Sequence, residues 1–186
     1  MKLPVDETLS LELLNDTHAE AIFELVDVNR EVLREWLPWV DYMQTVEHFR
    51  KFVRDSEHSR KQEIDYGFVI LEEESVVGRI GIYRVDQPNK TGSIGYWLGN
   101  GFAGRGIITK ACEAIIDYGF ETLQLNRLEI RCGTQNGKSK AVAERLGFKQ
   151  EGILSQAEWI GDKCIDHYLF ALLKEDWKPQ ITPGRS

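Results

Sequence analysis

Apolar and polar positions change period several times along the chain, and each change marks an element. Leu9, Leu11 and Leu13 alternate with Ser10 and Glu12, the period of a half-buried strand. Asn15-Asp16 interrupts it, and Thr17-His18-Ala19-Glu20 has the spacing of a capping box at a helix start. Ala19, Ile22, Phe23 and Val26 then share one helical face. A second helical stretch begins near Arg30 and ends at the proline of Trp36-Leu37-Pro38-Trp39. A third begins near Thr45, with Val46, Phe49 and Val53 at helical spacing.

Two β-branched runs, 66–71 and 76–84, flank Glu72-Glu73-Glu74-Ser75, which reads as a hairpin with a solvated turn. A third run, 91–98, follows the turn Gln87-Pro88-Asn89-Lys90. Such short connections predict an antiparallel meander, because parallel neighbours need long crossovers. Ile107, Ile108, Ala111, Cys112, Ile115 and Ile116 restore the helical period and predict a helix to about Phe120. Residues 128–132 read as a strand, and 138–146 as a helix ended by Gly147. Residues 148–152 and 164–172 read as closing strands joined through Gly161-Asp162-Lys163. No linker or repeat divides the chain, so residues 1–186 form one domain, with a core of about 8–175 and an unstructured tail at 179–186.

Composition narrows the function. Acidic side chains outnumber basic ones 30 to 23, giving a net charge of −7, which argues against a nucleic-acid binder and leaves room for a cationic small or peptidic partner. No run approaches the ~18 apolar residues of a membrane span. Acidic residues follow Met1 where a signal peptide would place its apolar stretch. Cys112, Cys132 and Cys164 are odd in number and widely spaced, so they describe neither a disulfide framework nor a metal site. The expectation is a cytoplasmic protein with three reduced, partly buried thiols and no metal.

Gly99-Asn100-Gly101-Phe102-Ala103-Gly104 formally matches a dinucleotide-binding loop between strand and helix. A Rossmann unit opens a parallel sheet with that motif, however, whereas here helices and a meander precede it. A P-loop fails too, because Arg105-Gly106-Ile107-Ile108 lacks the Lys-Ser/Thr pair. What remains is backbone able to approach a ligand closely and free N–H groups at a helix start, suited to an anion, with Arg105 able to add charge.

Ser93-Ile94-Gly95-Tyr96-Trp97-Leu98 followed by Ala103-Gly104-Arg105-Gly106-Ile107-Ile108 resembles the pyrophosphate-binding segment of the GNAT N-acetyltransferases. The usual pattern there is Gln/Arg-x-x-Gly-x-Gly/Ala; this chain keeps Gly106 but has Ala103 first and Ile108 last. Asn136-Gly137-Lys138-Ser139 and Leu146-Gly147-Phe148 resemble the second cofactor segment of the same superfamily. Within it, the early Leu-x-Leu strand and Gln156-Ala157-Glu158-Trp159 resemble the RimJ/RimL-type ribosomal-protein N-acetyltransferases. The resemblance implies an α/β acyl-CoA N-acyltransferase fold: a mixed, mostly antiparallel sheet flanked by helices on both faces.

It also implies acetyl-CoA as donor and a protein N-terminal amine as acceptor, possible ribosomal-protein substrates included, by direct attack in a ternary complex. Backbone N–H groups of Gly104, Arg105, Gly106, Ile107 and Ile108, next to Ala103, would hold the pyrophosphate. Tyr96, Trp97 and Leu98 would pair through their main chain with the pantetheine arm, and Asn136 would bond its amides. On its own Glu158 reads as a solvated turn residue; the resemblance reverses this, because it places a general base at that position. Ser139 falls where an acid would protonate the leaving thiolate, and reads equally as a helix cap. Trp36 and Trp39 are either core or, with Tyr42, the lining of an acceptor groove whose Glu35 and Asp41 suit a cationic amine. His18, His48 and His58 read as surface residues, and His167 as a strand residue without a triad partner. The competing readings are a small-amine acetyltransferase, acting on a polyamine or aminoglycoside, and a non-catalytic acetyl-CoA-binding module. Free sheet edges leave room for a homo-oligomer.

Overall fold

Strand and helix periods along the chain assemble, in a computed structural model that describes residues 1–178, into one eight-stranded sheet with helices on both sides. The strands are β1 (Lys2–Pro4), β2 (Leu9–Leu13), β3 (Tyr66–Glu72), β4 (Ser75–Asp86), β5 (Thr91–Leu98), β6 (Arg127–Gly133), β7 (Lys149–Ile160) and β8 (Lys163–Leu173). The helices are α1 (Ala19–Val28), α2 (Arg30–Leu33), α3 (Val46–Lys61), α4 (Ile107–Asp117) and α5 (Gly137–Arg145). The spatial order is β1-β2-β3-β4-β5-β6-β8-β7. Every neighbouring pair is antiparallel except β5 and β6, which the α4 crossover makes parallel.

Alternation along the strands builds two cores. Ile80, Ile82, Ile94, Leu128 and Ile130 face Ala111, Ile115 and Phe120 on one side of the sheet. Val69 and Leu71 face Ile22, Val26, Phe49 and Val53 of α1 and α3 on the other. Burial on both faces explains why the central strands read as nearly unbroken apolar runs.

The 107–120 stretch is helical as expected, but its last turn widens: the Leu123 N–H donates to the Tyr118 carbonyl five residues back. Gly119 lets this turn lie close against the sheet, since a side chain there would meet the Ile82 terminal carbon at 2.8 Å. Three sequence expectations need correction. The capping box lies two residues earlier: Asn15 caps the turn, and its N–H donates to His18 Nδ1, so His18 is a buried structural group rather than a surface one. The closing strand after Gly147 runs to Ile160, because a bulge lets pairing resume beyond its polar stretch. The short β1 was not anticipated at all; its pairing with β2 supplies order that three residues lack alone. The tail 179–186 lies outside the described residues.

β5 and β6 pair only from Thr91↔Arg127 to Ile94↔Ile130. Beyond that point β5 stays with β4 as far as Leu98, and β6 stays with β8 as far as Gly133. The two parallel strands therefore part, and main-chain groups of residues 95–98 face an opening in the sheet.

Candidate active site

The loop after β5 is fixed from both ends. The Gly99 N–H donates to the Val77 carbonyl, and the Asn100 N–H donates to Asn29 Oδ1 at 2.7 Å. Ile107 is buried and anchors the first turn of α4. Between them, Ala103, Gly104, Arg105 and Gly106 are exposed. Gly104 and Gly106 have φ of +80° and +76°, in the left-handed region that glycine enters freely. Gly106 is the N-cap and supplies no side-chain partner, so the first-turn N–H groups of α4 point outward uncapped. The departures at Ala103 and Ile108 leave these main-chain donors in place, because the donors belong to the backbone. An anionic pyrophosphate fits this cradle.

The charges around the loop differ from expectation. Arg105 is held in a two-pronged ion pair by Glu72, at 3.0 and 2.7 Å, so Glu72 is not merely a solvated turn residue. Lys110, in the first turn of α4, is paired with Asp6 at 2.8 Å, and this hydrogen bond holds the Asp6 carboxyl at about 2. Arg145, at the end of α5, donates to Thr109 Oγ1 at 3.1 Å and brings a further cation to the α4 N-terminus. Sequence reading missed Arg145, since only the fold brings the two helices together.

At the opening between β5 and β6, successive residues serve opposite faces. Tyr96 points to the α4–α5 side, where its hydroxyl lies 2.9 Å from Ser139 Oγ. The Ser139 N–H donates to Asn136 Oδ1 at 3.0 Å, so Asn136 caps α5 and the Ser139 hydroxyl is free of that duty. Cys132 lies beside Ser139; burial pushes its thiol pKa up, and burial likewise raises that of Tyr96. Tyr96 and Cys132 therefore keep their protons at pH 7 beside the Ser139 hydroxyl.

Trp97 points to the α1–α3 side, its ring centroid 6.0 Å from that of Trp39, which also meets Phe49 at 6.5 Å. Trp36 lies over Gly133, where a side chain would come within 3.4 Å of the indole. Tyr42 does not join them and stands 79% exposed. Asp41 is occupied by Arg34 at 2.6 Å. Both tryptophans are therefore half-buried walls of this side, and Tyr42 is not shown to line it.

Glu158 reaches the same face through the β7 bulge. Gln156 adopts φ +50° and its N–H donates to Asp166 Oδ1, which lets Glu158 resume pairing opposite Ile165. Its Oε2 lies 3.2 Å from His167 Nε2, with side chains 37% and 13% exposed. His167 in turn pairs with Gly133, where β6 has left β5. The histidine that seemed partnerless in sequence thus sits beside the one candidate base. Strand alternation puts Glu158 and Ser139 on opposite faces of the sheet, with the opening between them.

No helix among the described residues is long and apolar enough to cross a membrane. Comparison with known proteins agrees with the geometry. The GNAT acetyltransferase domain matches residues 8–149. The ribosomal-protein-serine acetyltransferase of Escherichia coli is 34% identical over 169 residues, covering 91% of this chain and 94% of that protein. Among solved structures, the RimL ribosomal L7/L12 α-N-protein acetyltransferase in complex with coenzyme A superimposes with a TM-score of 0.91 at 28% identity, over 95% of this chain and 99% of that one. A microcin C7 self-immunity acetyltransferase bound to acetyl-CoA and AMP gives 0.86 at 26% identity, over 91% and 94%. A loop of backbone donors before α4, an opened β5–β6 pair and a match across most of the chain place this protein in the GNAT acetyltransferase family.

Proposed function

We propose that the chain transfers the acetyl group of acetyl-CoA to the α-amine of a protein N-terminus, with a ribosomal protein as the acceptor its relatives favour. One observation carries the reading: a carboxylate-bearing face and a hydroxyl-bearing face meet at the same opening in the sheet. Acetyl-CoA supplies an activated thioester, whose carbonyl carbon is open to attack by an amine.

The chain's own groups do the rest. N–H groups of 104–108 hold the pyrophosphate, and main-chain groups of 96–98 take the amide-rich arm as an added strand. A main-chain N–H at the opening stabilises negative charge that develops on the carbonyl oxygen. Asn136 keeps its side-chain NH₂ for an amide carbonyl while its oxygen caps α5. Glu158, steadied by His167, takes a proton from the incoming ammonium; an α-amine of pKa ~8 needs only this help at pH 7. Ser139, bonded to Tyr96, gives a proton to the departing thiolate. Trp36, Trp39 and Trp97 wall the acceptor side, where the Glu158 side chain is 37% exposed and within reach of a peptide.

The test is incubation with acetyl-CoA and a panel of N-terminal peptides, polyamines and aminoglycosides, following free CoA and product mass. Acetylated peptide α-amines are the expected products. Acetylation of the small amines alone would overturn the acceptor assignment and leave the cofactor site standing.

A further inference from the structure

Arg79 has no part in the chemistry above, and its surroundings are unusual for a cation. It lies in β4 opposite Val69 and Trp97, on the acceptor-side face, and is 7% exposed. Its Nε and Nη2 are buried without a hydrogen-bond partner among the described residues. The guanidinium carbon stands 4.4 Å from the centre of the Phe52 ring. Burial pushes its pKa down, and the one titratable neighbour opposing this is the Tyr83 phenol, not a carboxylate.

The neighbours are arranged around missing side chains. A Cβ on Gly67 would come within 3.0 Å of Arg79 Nη2 and 3.4 Å of Ser56 Oγ, so both polar groups converge over the same bare strand. Gly81, the register partner of Gly67, would meet the Tyr83 hydroxyl at 2.8 Å. One guanidinium and two hydroxyls thus rim two adjoining glycines beneath α3. A buried cation without a counter-charge is costly, and an apolar side chain would pack on Phe52 without that cost. A single planar guanidinium suits a planar monoanion better than a doubly charged phosphate.

We propose that Arg79, with Ser56 and Tyr83, binds a carboxylate carried by the acceptor, and so selects acidic substrates; this rests on the acceptor-side reading given above. The guanidinium sits over β3 and β4, whereas the opening lies beyond β5, about two strand spacings or ~10 Å away. An extended peptide spans that distance in about three residues. The favoured acceptor therefore carries Asp or Glu at its third or fourth position.

The test uses peptide pairs that differ only by Glu or Gln at those positions, acetylated by the wild-type protein, Arg79→Met and Arg79→Lys. Calorimetric acetyl-CoA affinity is the control and is expected to stay unchanged. In a second arm, melting temperatures are compared in sodium formate and sodium chloride at equal ionic strength. The wild type is expected to show a KM about tenfold lower for the Glu peptide and a formate-specific rise in melting temperature. Arg79→Met is expected to lose both. If Arg79→Met does not fold, Arg79→Lys is read instead and is expected to lose most of the preference with the planar fork. Should no peptide be acetylated by any protein, the N-terminal-acceptor reading fails and the formate arm alone decides the carboxylate site. Equal KM values for Glu and Gln peptides in the wild type, with a formate response no different from chloride, overturn the proposal. A preference that survives in Arg79→Met overturns it too.

Discussion

Glu158 and His167 stand 3.2 Å apart at the mouth of the opened sheet, and their separate roles predict separate losses. In the proposed reaction Glu158 takes the proton, and His167 fixes where its carboxylate waits. His167→Ala should therefore lower kcat about tenfold with little change in acetyl-CoA affinity. His167→Gln, which keeps a polar end at the same reach, should recover most of that loss in steady-state assays. Equal damage from both variants would point to a general packing role instead. Sequence offered Glu158 through a motif and dismissed His167, because the partnership depends on a bulge at 155–157 that brings residues nine apart together across a hairpin. For Ser139 the contacts answer only the capping half of the question: Asn136 holds the cap, and the Ser139 hydroxyl lies beside that of Tyr96. Arg79, an unremarkable strand residue in sequence, acquires meaning only from what fails to surround it.

At the scale of elements, helix starts carry both binding and stability. Gly106→Ala places a Cβ at φ +76° and should cost about 1 kcal/mol by thermal denaturation. The same change should weaken acetyl-CoA binding several-fold by calorimetry, since that residue aims the first N–H groups of α4. The start of α1 gives a pH prediction. Burial lowers the His18 pKa, with Glu12 opposing, and its Nδ1 must stay unprotonated to accept from the Asn15 N–H. The unfolded chain thus binds the proton more readily. The His18 contribution is full above the ordinary imidazole value of about 6.5 and declines as pH falls below it. Melting curves between pH 7.5 and about 5.5 should fall more steeply for the wild type than for His18→Asn, which accepts without titrating. A parallel decline in both proteins would contradict this. The meander, α3, α4 and β5 were legible because their periods are strong and long. The capping box was misplaced because Asn15 and Thr17 both head plausible caps, and only the backbone chooses.

For the whole molecule, the sheet works as a partition. Tyr96 and Trp97 are neighbours in sequence, yet one meets Ser139 on the α5 face and the other meets Trp39 on the opposite face, the proposed thiol and acceptor sides. Trp97→Ala should raise the acceptor KM while sparing acetyl-CoA affinity, and Tyr96→Phe should lower kcat while sparing the acceptor KM. Steady-state kinetics on both substrates would show whether the two faces separate in this way. The fold and the acetyl-CoA donor were readable through the family resemblance, whose glycine, Asn-x-x-Ser and Leu-Gly-Phe spacings serve backbone geometry that few residues satisfy. The acceptor side was not, because its groups come from α3, β4, β5, β6, β7, β8 and the segment before α3, which no local spacing links. The central claim is that Glu158 drives acetyl transfer to a peptide α-amine at the opening between β5 and β6. The most direct measurement compares Glu158→Gln with the wild type for turnover on an N-terminal peptide and for acetyl-CoA binding by calorimetry. The account predicts turnover reduced by about a hundredfold or more with binding unchanged; turnover preserved in Glu158→Gln would contradict it.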